Sequence, residues 1–364
     1  MPLINRCGGG AGTPQLCGQV ENFKVLPGTT ALTAVLSWAA PSLDEDNSFV
    51  GARIVRKAGS APTGINDGTV VYEGTAFSCT DTDLTAGTTY YYRAFAYNAK
   101  KKYQTELRVV SIVAKNINIS SVLNDNTWEA IQVVSDLGQG ANFWALGDCK
   151  AVTLGGSITV LGKSISLPAT AYPFIIGFDH NAEIEGANRI HFQFGKSALS
   201  NGDMQSLFSA AIDTATELWA HTTFRENLGQ NLAADSSTLL GRLPADLKSV
   251  LKSVVKYSVN VMSLAENAVT PTTDYIFIPS AYETRGSIQF TKQTSGRINP
   301  YVTNYQKQYA YYAAGNTPPI NIWLRDFAYF GPTQSGGWVY IASSNGQNHV
   351  SGQYSHPICP AFCV

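Results

Sequence analysis

The stretch from Leu84 to Asn98, LTAGTTYYYRAFAYN, contains the clearest strand signal in this 364-residue chain. Gly87 stands in the polar segment before the strand, where a residue without a side chain suits a turn. Beyond it, one face of the strand is formed by every second residue, as expected for a strand with a buried side. The residues predicted to face the core are Tyr90, Tyr92, Ala94 and Ala96.

Further short strands are predicted on the N-terminal side of this stretch, with turn residues between them. Two are ARIVRK at 52–57 and TVVYEG at 69–74. Short strands at regular spacing favour an antiparallel β-sandwich, which we predict over residues 19–115. Another strand places alternating residues on its buried face, namely Leu32, Ala34, Leu36 and Trp38.

These residues resemble the fibronectin type III family over about 95 positions. The resemblance implies a seven-stranded sandwich that serves as a spacer or adhesion module without catalytic activity. It also implies that Tyr90 takes the tyrosine-corner position and that Trp38 and Tyr90 are core residues. The matching positions are Trp38, Leu84, Gly87, Thr88, Tyr90, Tyr92, Ala96 and Asn98.

Residues 1–18 are glycine-rich and show no periodicity. Such a segment is expected to be disordered as an isolated chain. Two interpretations stay open: a flexible terminus, or an arm that becomes ordered against a neighbouring subunit. The six cysteines show no metal-binding spacing, and we interpret them mostly as buried free thiols, with a Cys7–Cys17 disulfide as the alternative for that pair.

A linker is predicted at residues 116–126 and a second domain at residues 127–364. Asn126 and Glu129 have the spacing of a capping box in front of a helix. Helices and strands then follow without regular alternation, which favours an α+β domain. Strands are predicted at 143–154, 157–162 and 171–181, helices at 204–219 and 243–255, and a core strand at 358–364.

The helix predicted at 243–255 places Pro244 in its first turn. Its buried stripe would be formed by Leu247, Val250, Leu251 and Val254.

Composition limits the classes of partner. Charged residues make up 14% of the chain, against roughly 25% in a typical soluble domain, and the net charge is −1. We therefore expect no nucleic-acid partner. No apolar run is long enough for membrane insertion, and a basic, then apolar signal segment is lacking, so a soluble chain without a cleaved signal is expected.

Few residues suggest catalysis or metal binding. Asp179 and His180 end an apolar strand, but neighbouring strand residues point to opposite faces, so a structural role is favoured. The remaining histidines lack HExxH or HxH spacing, and neither a nucleophile elbow nor a phosphate-binding loop occurs. We predict no catalytic residues, no metal, no cofactor and no enzymatic activity, although a distant pair of carboxylates stays open as a glycosidase site.

The last 65 residues combine many aromatic residues with Gly, Asn, Ser and Gln. This mixture is typical of binding surfaces, because stiff aromatic rings supply contact area and small polar residues supply hydrogen bonds. The alternative is a core role, which we favour for Trp323 and Phe362 and leave open for three of the aromatics, Trp338, Tyr340 and Tyr354. The candidate binding face, predicted to be a loop region, comprises Tyr329, Trp338, Tyr340, Asn345, Gln347, Asn348, His349, Gln353 and Tyr354.

The order of motifs after Thr127 resembles a domain of unknown function found in phage structural proteins and Firmicute surface proteins. The resemblance implies a C-type-lectin-like fold, closed by its final strand and exposing loops for binding. Asp326 and Pro357 depart from the pattern, where Ser and Gly are usual. The motifs are WALGD (144–148), IIGFDHN (175–181), Trp219 with Arg225 and Leu228, LPADLKSVLK (243–252), FIPSAYE (277–283), WLR (323–325) and PICPAFCV (357–364).

The N-terminal half adds to this resemblance through its MxLIN start, VRKxGxxPT at 55–63 and DGT at 67–69. Together they imply a tailed-bacteriophage virion protein, assembled in the host bacterial cytoplasm. Its arm would bind other virion proteins, homo-oligomers are expected, and its second domain would attach to a host cell-surface glycan or protein as part of a tail fibre, baseplate or capsid exterior. The alternatives are a purely structural decoration or baseplate subunit and, ranked last, a surface-glycan hydrolase.

Overall fold

The computed structural model describes residues 16–42, 48–200, 202–212, 219–233, 235–259, 269–286, 300–316, 322–328, 337–342, 346–350 and 355–364. The chain divides into two compact units between Asn118 and Ile119. Among the described residues, we find no helix with the length and apolar character needed to span a bilayer.

The first unit is an antiparallel β-sandwich of two sheets, as predicted. Its strands form one three-stranded sheet, in the order β1-β2-β5, and one four-stranded sheet, in the order β4-β3-β6-β7. The buried face predicted for β6 is confirmed, since Tyr90, Tyr92, Ala94 and Ala96 are all buried. The strands are β1 (Glu21–Pro27), β2 (Ala34–Ala39), β3 (Phe49–Ala58), β4 (Thr69–Gly74), β5 (Ser78–Asp81), β6 (Thr89–Asn98) and β7 (Val109–Val113).

Tyr90 and Trp38 are both in the core of the sandwich, as predicted. The Tyr90 hydroxyl accepts a hydrogen bond from the Thr85 amide at 3.2 Å. A tyrosine hydroxyl bonded to backbone a few residues upstream is the tyrosine-corner arrangement. Cys17 is also fully buried in this core, so the predicted arm of residues 1–18 is wrong at its C-terminal end. Cys7 and the rest of the predicted arm, up to residue 15, lie outside the described residues.

The loop after β3 packs against the outer face of the four-stranded sheet. Asp67 accepts hydrogen bonds from Lys57 Nζ at 2.8 Å and from the Thr63 amide at 2.8 Å. The Arg93 guanidinium, almost fully buried, donates to the carbonyls of Pro62 and Thr63. The VRKxGxxPT and DGT stretches therefore have a structural explanation in this loop.

The second unit begins earlier than predicted. Leu123 is buried in the core of this unit, and Ile119 packs against the same core. The segment 119–126 is therefore part of the second unit and not a linker. The predicted capping box is also wrong, because Thr127 caps the first helix by accepting from the Ala130 amide at 3.1 Å.

The second unit mixes short helices with antiparallel strands. Its larger sheet has the order β20-β12-β11-β8, and the pairs β9–β10, β13–β19 and β14–β15 surround it. The helices are α1 (Trp128–Asp136), α2 (Gly140–Phe143), α3 (Ala182–Glu185), α4 (Thr223–Leu228), α5 (Leu239–Arg242), α6 (Ala245–Lys248), α7 (Ala281–Arg285) and α8 (Ala310–Ala313). The strands are β8 (Val152–Thr153), β9 (Ser157–Val160), β10 (Lys163–Ser166), β11 (Thr170–Phe178), β12 (Ile190–Lys196), β13 (Phe208–Ala210), β14 (Val254–Val259), β15 (Val269–Asp274), β16 (Ile322–Ala328), β17 (Gly337–Ala342), β18 (Gly346–Val350), β19 (His356–Ile358) and β20 (Ala361–Cys363). Short 3-10 helices lie at Leu123–Asp125, Trp219–His221 and Pro300–Tyr305.

Three predicted elements of this unit are wrong in type or extent. The described part of 204–219 contains β13 instead of a helix, because Phe208–Ala210 pairs with β19. The helix predicted at 243–255 is only the single turn α6, with Pro244 as its N-cap, since Val254 begins β14. Within 143–154, only Val152–Thr153 forms a strand.

The predicted burial of Leu247, Val250, Leu251 and Val254 is nevertheless confirmed.

The C-terminal segment is core, as predicted, although it forms two short strands, β19 and β20, instead of one. Residues 358–364 are all buried. The Val364 carbonyl accepts hydrogen bonds from the Ile190 amide at 2.9 Å and from Ser135 Oγ of α1 at 2.6 Å. Of the cysteines predicted to be buried thiols, Cys149, Cys359 and Cys363 are buried and free, and Cys79 is free and half-buried.

Candidate functional site

The candidate binding residues that the structure describes lie on a three-stranded antiparallel sheet of order β16-β17-β18. Trp338 and Tyr340 are on β17, and Gln347, Asn348 and His349 are on β18. The prediction of a loop is therefore wrong for 346–350. Four further candidates lie outside the described residues: Tyr329, Asn345, Gln353 and Tyr354.

The strand register divides these residues between two faces. Tyr340 pairs directly with Asn348, while His349 pairs with Val339. Because successive residues of a strand belong to opposite faces, Tyr340 and Asn348 share one face with Trp338. Gln347 and His349 belong to the other face, so the sheet does not gather all the described candidates on one side.

The first strand of this sheet, β16, is anchored in the core. Ile322, Trp323 and Leu324 are fully buried, which confirms the core role expected for Trp323. The Trp323 indole Nε1 donates to the Ala210 carbonyl at 3.0 Å, and its ring meets His356 edge-on at 4.8 Å. Phe362 is buried as well.

Arg325 follows on the same strand and is buried against an acidic partner. Its guanidinium binds both oxygens of Glu283, with the Nη2–Oε1 distance 2.9 Å and the Nη1–Oε2 distance 2.5 Å. Glu283 also closes a capping box with Ser280 at the start of α7. One carboxylate therefore fixes both the start of a helix and the strand that leads into the sheet.

Lys256 of β14 lies on the other side of Glu283. Its Nζ donates to Glu283 Oε1 at 3.0 Å, to Glu185 Oε1 at 2.7 Å and to the Tyr309 hydroxyl at 2.9 Å. Glu185 Oε2 lies 3.0 Å from His191 Nε2. We call this assembly the buried ion cluster; its members are His180, Glu185, His191, Lys256, Glu283, Tyr309, Arg325 and Asp326, all buried.

Burial and pairing set the charges of this cluster. Burial lowers the pKa of His180 to about 3 and also lowers that of His191, so both rings are neutral at pH 7. Although burial alone would raise it, the Lys256 ammonium and His191 bring the pKa of Glu185 down to about 2. Two carboxylates, Glu185 and Glu283, thus balance Lys256 and Arg325.

Asp326 is the exception in the cluster. Burial raises the pKa of its carboxyl to about 6, against the lowering effect of Arg325. One of its oxygens accepts a hydrogen bond from the Ala281 amide. Asp326 therefore places an additional titratable group at the start of α7.

Three members of the cluster, His180, Glu185 and Glu283, have potential metal-ligand atoms within 4.8 Å of one another. The Lys256 ammonium already lies between the two carboxylates, so a divalent ion would have to displace it. Asp179 is not a member; it is exposed, and its carboxylate accepts from the Arg189 amide at 3.0 Å. The carboxylates of Glu185 and Glu283 are therefore already paired with Lys256 and Arg325, and the arrangement suits these cations better than a metal ion.

An open cavity of 440 Å³ lies elsewhere in the second unit, with Asn124, Asp125, Asp148 and Cys149 in its wall. Burial raises the pKa of the Cys149 thiol to about 11, which keeps the thiol protonated at neutral pH. A protonated thiol is a poor nucleophile, and the cavity therefore gives no sign of cysteine catalysis.

No protein-family model matches the chain, and no curated protein matches it. Solved structures with local similarity include domains d3–d4 of the rat CD45 extracellular region, at 14% identity and a TM-score of 0.22, covering 27% of this chain and 49% of that chain. The fibronectin type III domain of human fibronectin type III domain containing protein 3 matches at 18% identity and a TM-score of 0.24, covering 29% and 94%. Domains FN1–FN3 of chicken CNTN1 match at 16% identity and a TM-score of 0.23, covering 28% and 33%. The chain spans about half or less of the length of the rat and chicken fragments.

Proposed function

We propose that the chain is a structural protein of a tailed-bacteriophage virion, sited on the tail, baseplate or capsid exterior. In this proposal the sandwich is a spacer, and the second unit is a C-type-lectin-like module that attaches to a glycan or protein of the host surface. The ordered motifs of both halves support the virion assignment. The low charge and the polar, aromatic-rich C-terminal sequence support a contact surface.

The observation that carries the attachment proposal is the position of Trp338 and Tyr340. Both belong to one face of a strand whose neighbour, β16, is fixed in the core by buried Trp323 and Arg325. Recognition residues act best on rigid elements, because less conformational entropy is lost when the partner binds. Tyr340 and its cross-strand neighbour Asn348 together combine ring contact area with hydrogen-bonding capacity.

The proposal is tested by the binding of the purified chain to host cells and to their cell-wall glycans. Trp338→Ala and Tyr340→Ala are each expected to weaken binding by about 10-fold or more, as for central aromatic residues of an interface. Gln347→Ala, on the opposite face of the same sheet, is the matched control and should bind like the unaltered chain. Urea unfolding of each variant excludes a loss of fold.

Two outcomes would overturn attachment. One is an unaltered chain that binds neither cells nor glycans; the other is equal binding by all variants. If Trp338→Ala and Tyr340→Ala instead reduce only incorporation into particles, the alternative of a purely structural decoration or baseplate subunit is correct. Deleting residues 1–15, which leaves buried Cys17 in place, then tests whether the N-terminal segment binds other virion proteins.

A further inference from the structure

The Lys256 ammonium has an environment that suits a reaction as well as an ion pair. Its side chain is 1% exposed, and Nζ lies 2.7 Å from Glu185 Oε1 and 3.0 Å from Glu283 Oε1. The Phe277 ring, 4.3 Å from Nζ, and the Tyr309 ring enclose it further. An amine, two carboxylates and an apolar wall are thus held together without access to bulk water.

The two carboxylates differ in what else holds them. Glu283 is bound by both Nη atoms of Arg325 and by the Ser280 amide of its own helix cap. Glu185 has no comparable clamp; its second oxygen faces His191 Nε2 at 3.0 Å. Glu283 is therefore the fixed, ionised group that accepts a proton, and Glu185 is the group whose carbonyl carbon is open to attack.

We propose that Lys256 and Glu185 condense to form an intramolecular amide, an ε-(γ-glutamyl)lysine cross-link, with Glu283 as the proton-transfer group. The inference does not rest on the proposed attachment to a host. It needs no oxidant, metal or further reactant, because an ammonium and a carboxylate together contain all the atoms of the amide and one water.

The condensation uses only atoms of the Lys256 and Glu185 side chains. Glu283 relays one proton from the Lys256 ammonium to Glu185 Oε1, which converts the ion pair into a neutral amine and a neutral carboxylic acid. The amine lone pair then attacks Cδ of Glu185. Nε2–H of His191, in the tautomer that has its proton there, stabilises the charge that develops on the second oxygen of Glu185. The C–N bond forms, Glu283 passes the second proton from the nitrogen to Glu185 Oε1, and the Cδ–Oε1 bond breaks. Oε1 departs with both protons as water, and Oε2 becomes the amide oxygen.

Condensation also changes the electrostatics of the core. Keeping an ion pair in a medium of low polarity costs desolvation energy for both partners. The amide removes the charges of Lys256 and Glu185 together, so that Glu283 and Arg325 remain as a balanced pair. The bond would join α3 to β14, two positions 71 residues apart in sequence, and would restrict the unfolded chain as other cross-links do.

The test is the mass of the purified, unfolded chain, followed by sequencing of the branched peptide from a protease digest. We expect a deficit of about 18 Da, one water, located to a peptide that joins Lys256 and Glu185. Lys256→Arg keeps a cation in the cluster but cannot form the amide, and Glu185→Ala removes the acceptor; both should show the full mass. Glu283→Gln should show the full mass or a mixture, since the proton acceptor is lost.

A full mass in the unaltered chain overturns the proposal, whatever the variants do. A deficit that persists in Lys256→Arg or Glu185→Ala overturns the assignment of the bond. A complete deficit in Glu283→Gln overturns the role of Glu283. Circular dichroism shows whether the Lys256→Arg variant is folded. If this variant does not fold, the mass of the unaltered chain alone decides whether the cross-link exists.

Discussion

Arg325 and Glu283 face each other in a two-point ion pair in which each side chain is 1% exposed. The pair joins β16 to the first turn of α7. The contribution of this pair to stability is best measured by removing Arg325, because the Glu283 carboxylate then stays buried without its guanidinium partner.

Arg325→Met is expected to lower the free energy of unfolding of the second unit by about 3–5 kcal/mol. Lys256 then faces two buried carboxylates without Arg325, so one buried negative charge is left uncompensated. Urea unfolding followed by tryptophan fluorescence measures it. The control is Arg108→Met, which breaks an exposed ion pair with Glu106 and should cost less than about 1 kcal/mol. Equal losses in the two variants would contradict the structural role given to the buried pair.

Asp326 should make the stability of the second unit depend on pH. The folded pKa, about 6, is above the ordinary value of 3.8, so the protonated form is favoured in the folded state. This contribution is present below the unfolded pKa and is lost as the pH rises through about 6. Asp326→Asn removes the titration and should stabilise the unit relative to the unaltered chain by up to about 3 kcal/mol at pH 8, with little difference at pH 4.

Urea unfolding at the two pH values checks this. The Asn oxygen can still accept from the Ala281 amide, so the helix start is preserved. A difference between the two chains that is the same at pH 4 and pH 8 would show that Asp326 does not titrate as described.

Asn126 should contribute more to the stability of the second unit than Thr127, although Thr127 is the N-cap of α1. The buried Asn126 side chain accepts from the Ser120 amide at 2.8 Å and donates to the carbonyls of Ser120 and Val122. Asn126→Ala leaves the Ser120 amide without this acceptor and removes one of two donors from each carbonyl, since Trp144 Nε1 still binds Ser120 and the Asp125 amide still binds Val122. The loss should cost about 2–3 kcal/mol. Thr127→Ala should cost about 1 kcal/mol, the usual value for an N-cap. A larger loss of stability in Thr127→Ala than in Asn126→Ala, measured by urea unfolding, would contradict this role of Asn126.

Local periodicity was sufficient to predict burial where the residues that share a face are also close together in sequence. Tyr90, Tyr92, Ala94 and Ala96 alternate along one strand, and a period of two identifies their buried face without further knowledge. Apolar character likewise predicted the burial of Leu247 in α6, although not the length of its helix.

Pairing between residues far apart in sequence decided the type of the other elements and the partners of the buried charges. Apolar spacing at 204–219 suits a helix, but Phe208 pairs with Ile358, 150 positions away, and this partner determines the strand. The same holds for the buried ion cluster, whose charges come from α3, β14, α7 and β16. The ion pairs of the cluster join residues that are at least 27 positions apart in sequence. Only the tertiary structure therefore shows that Glu185, Lys256, Glu283 and Arg325 balance one another. The sequence by itself determined which residues are apolar enough to be buried and where strands alternate; the tertiary structure decided their partners, because backbone pairing and charge neutralisation depend on distance in space.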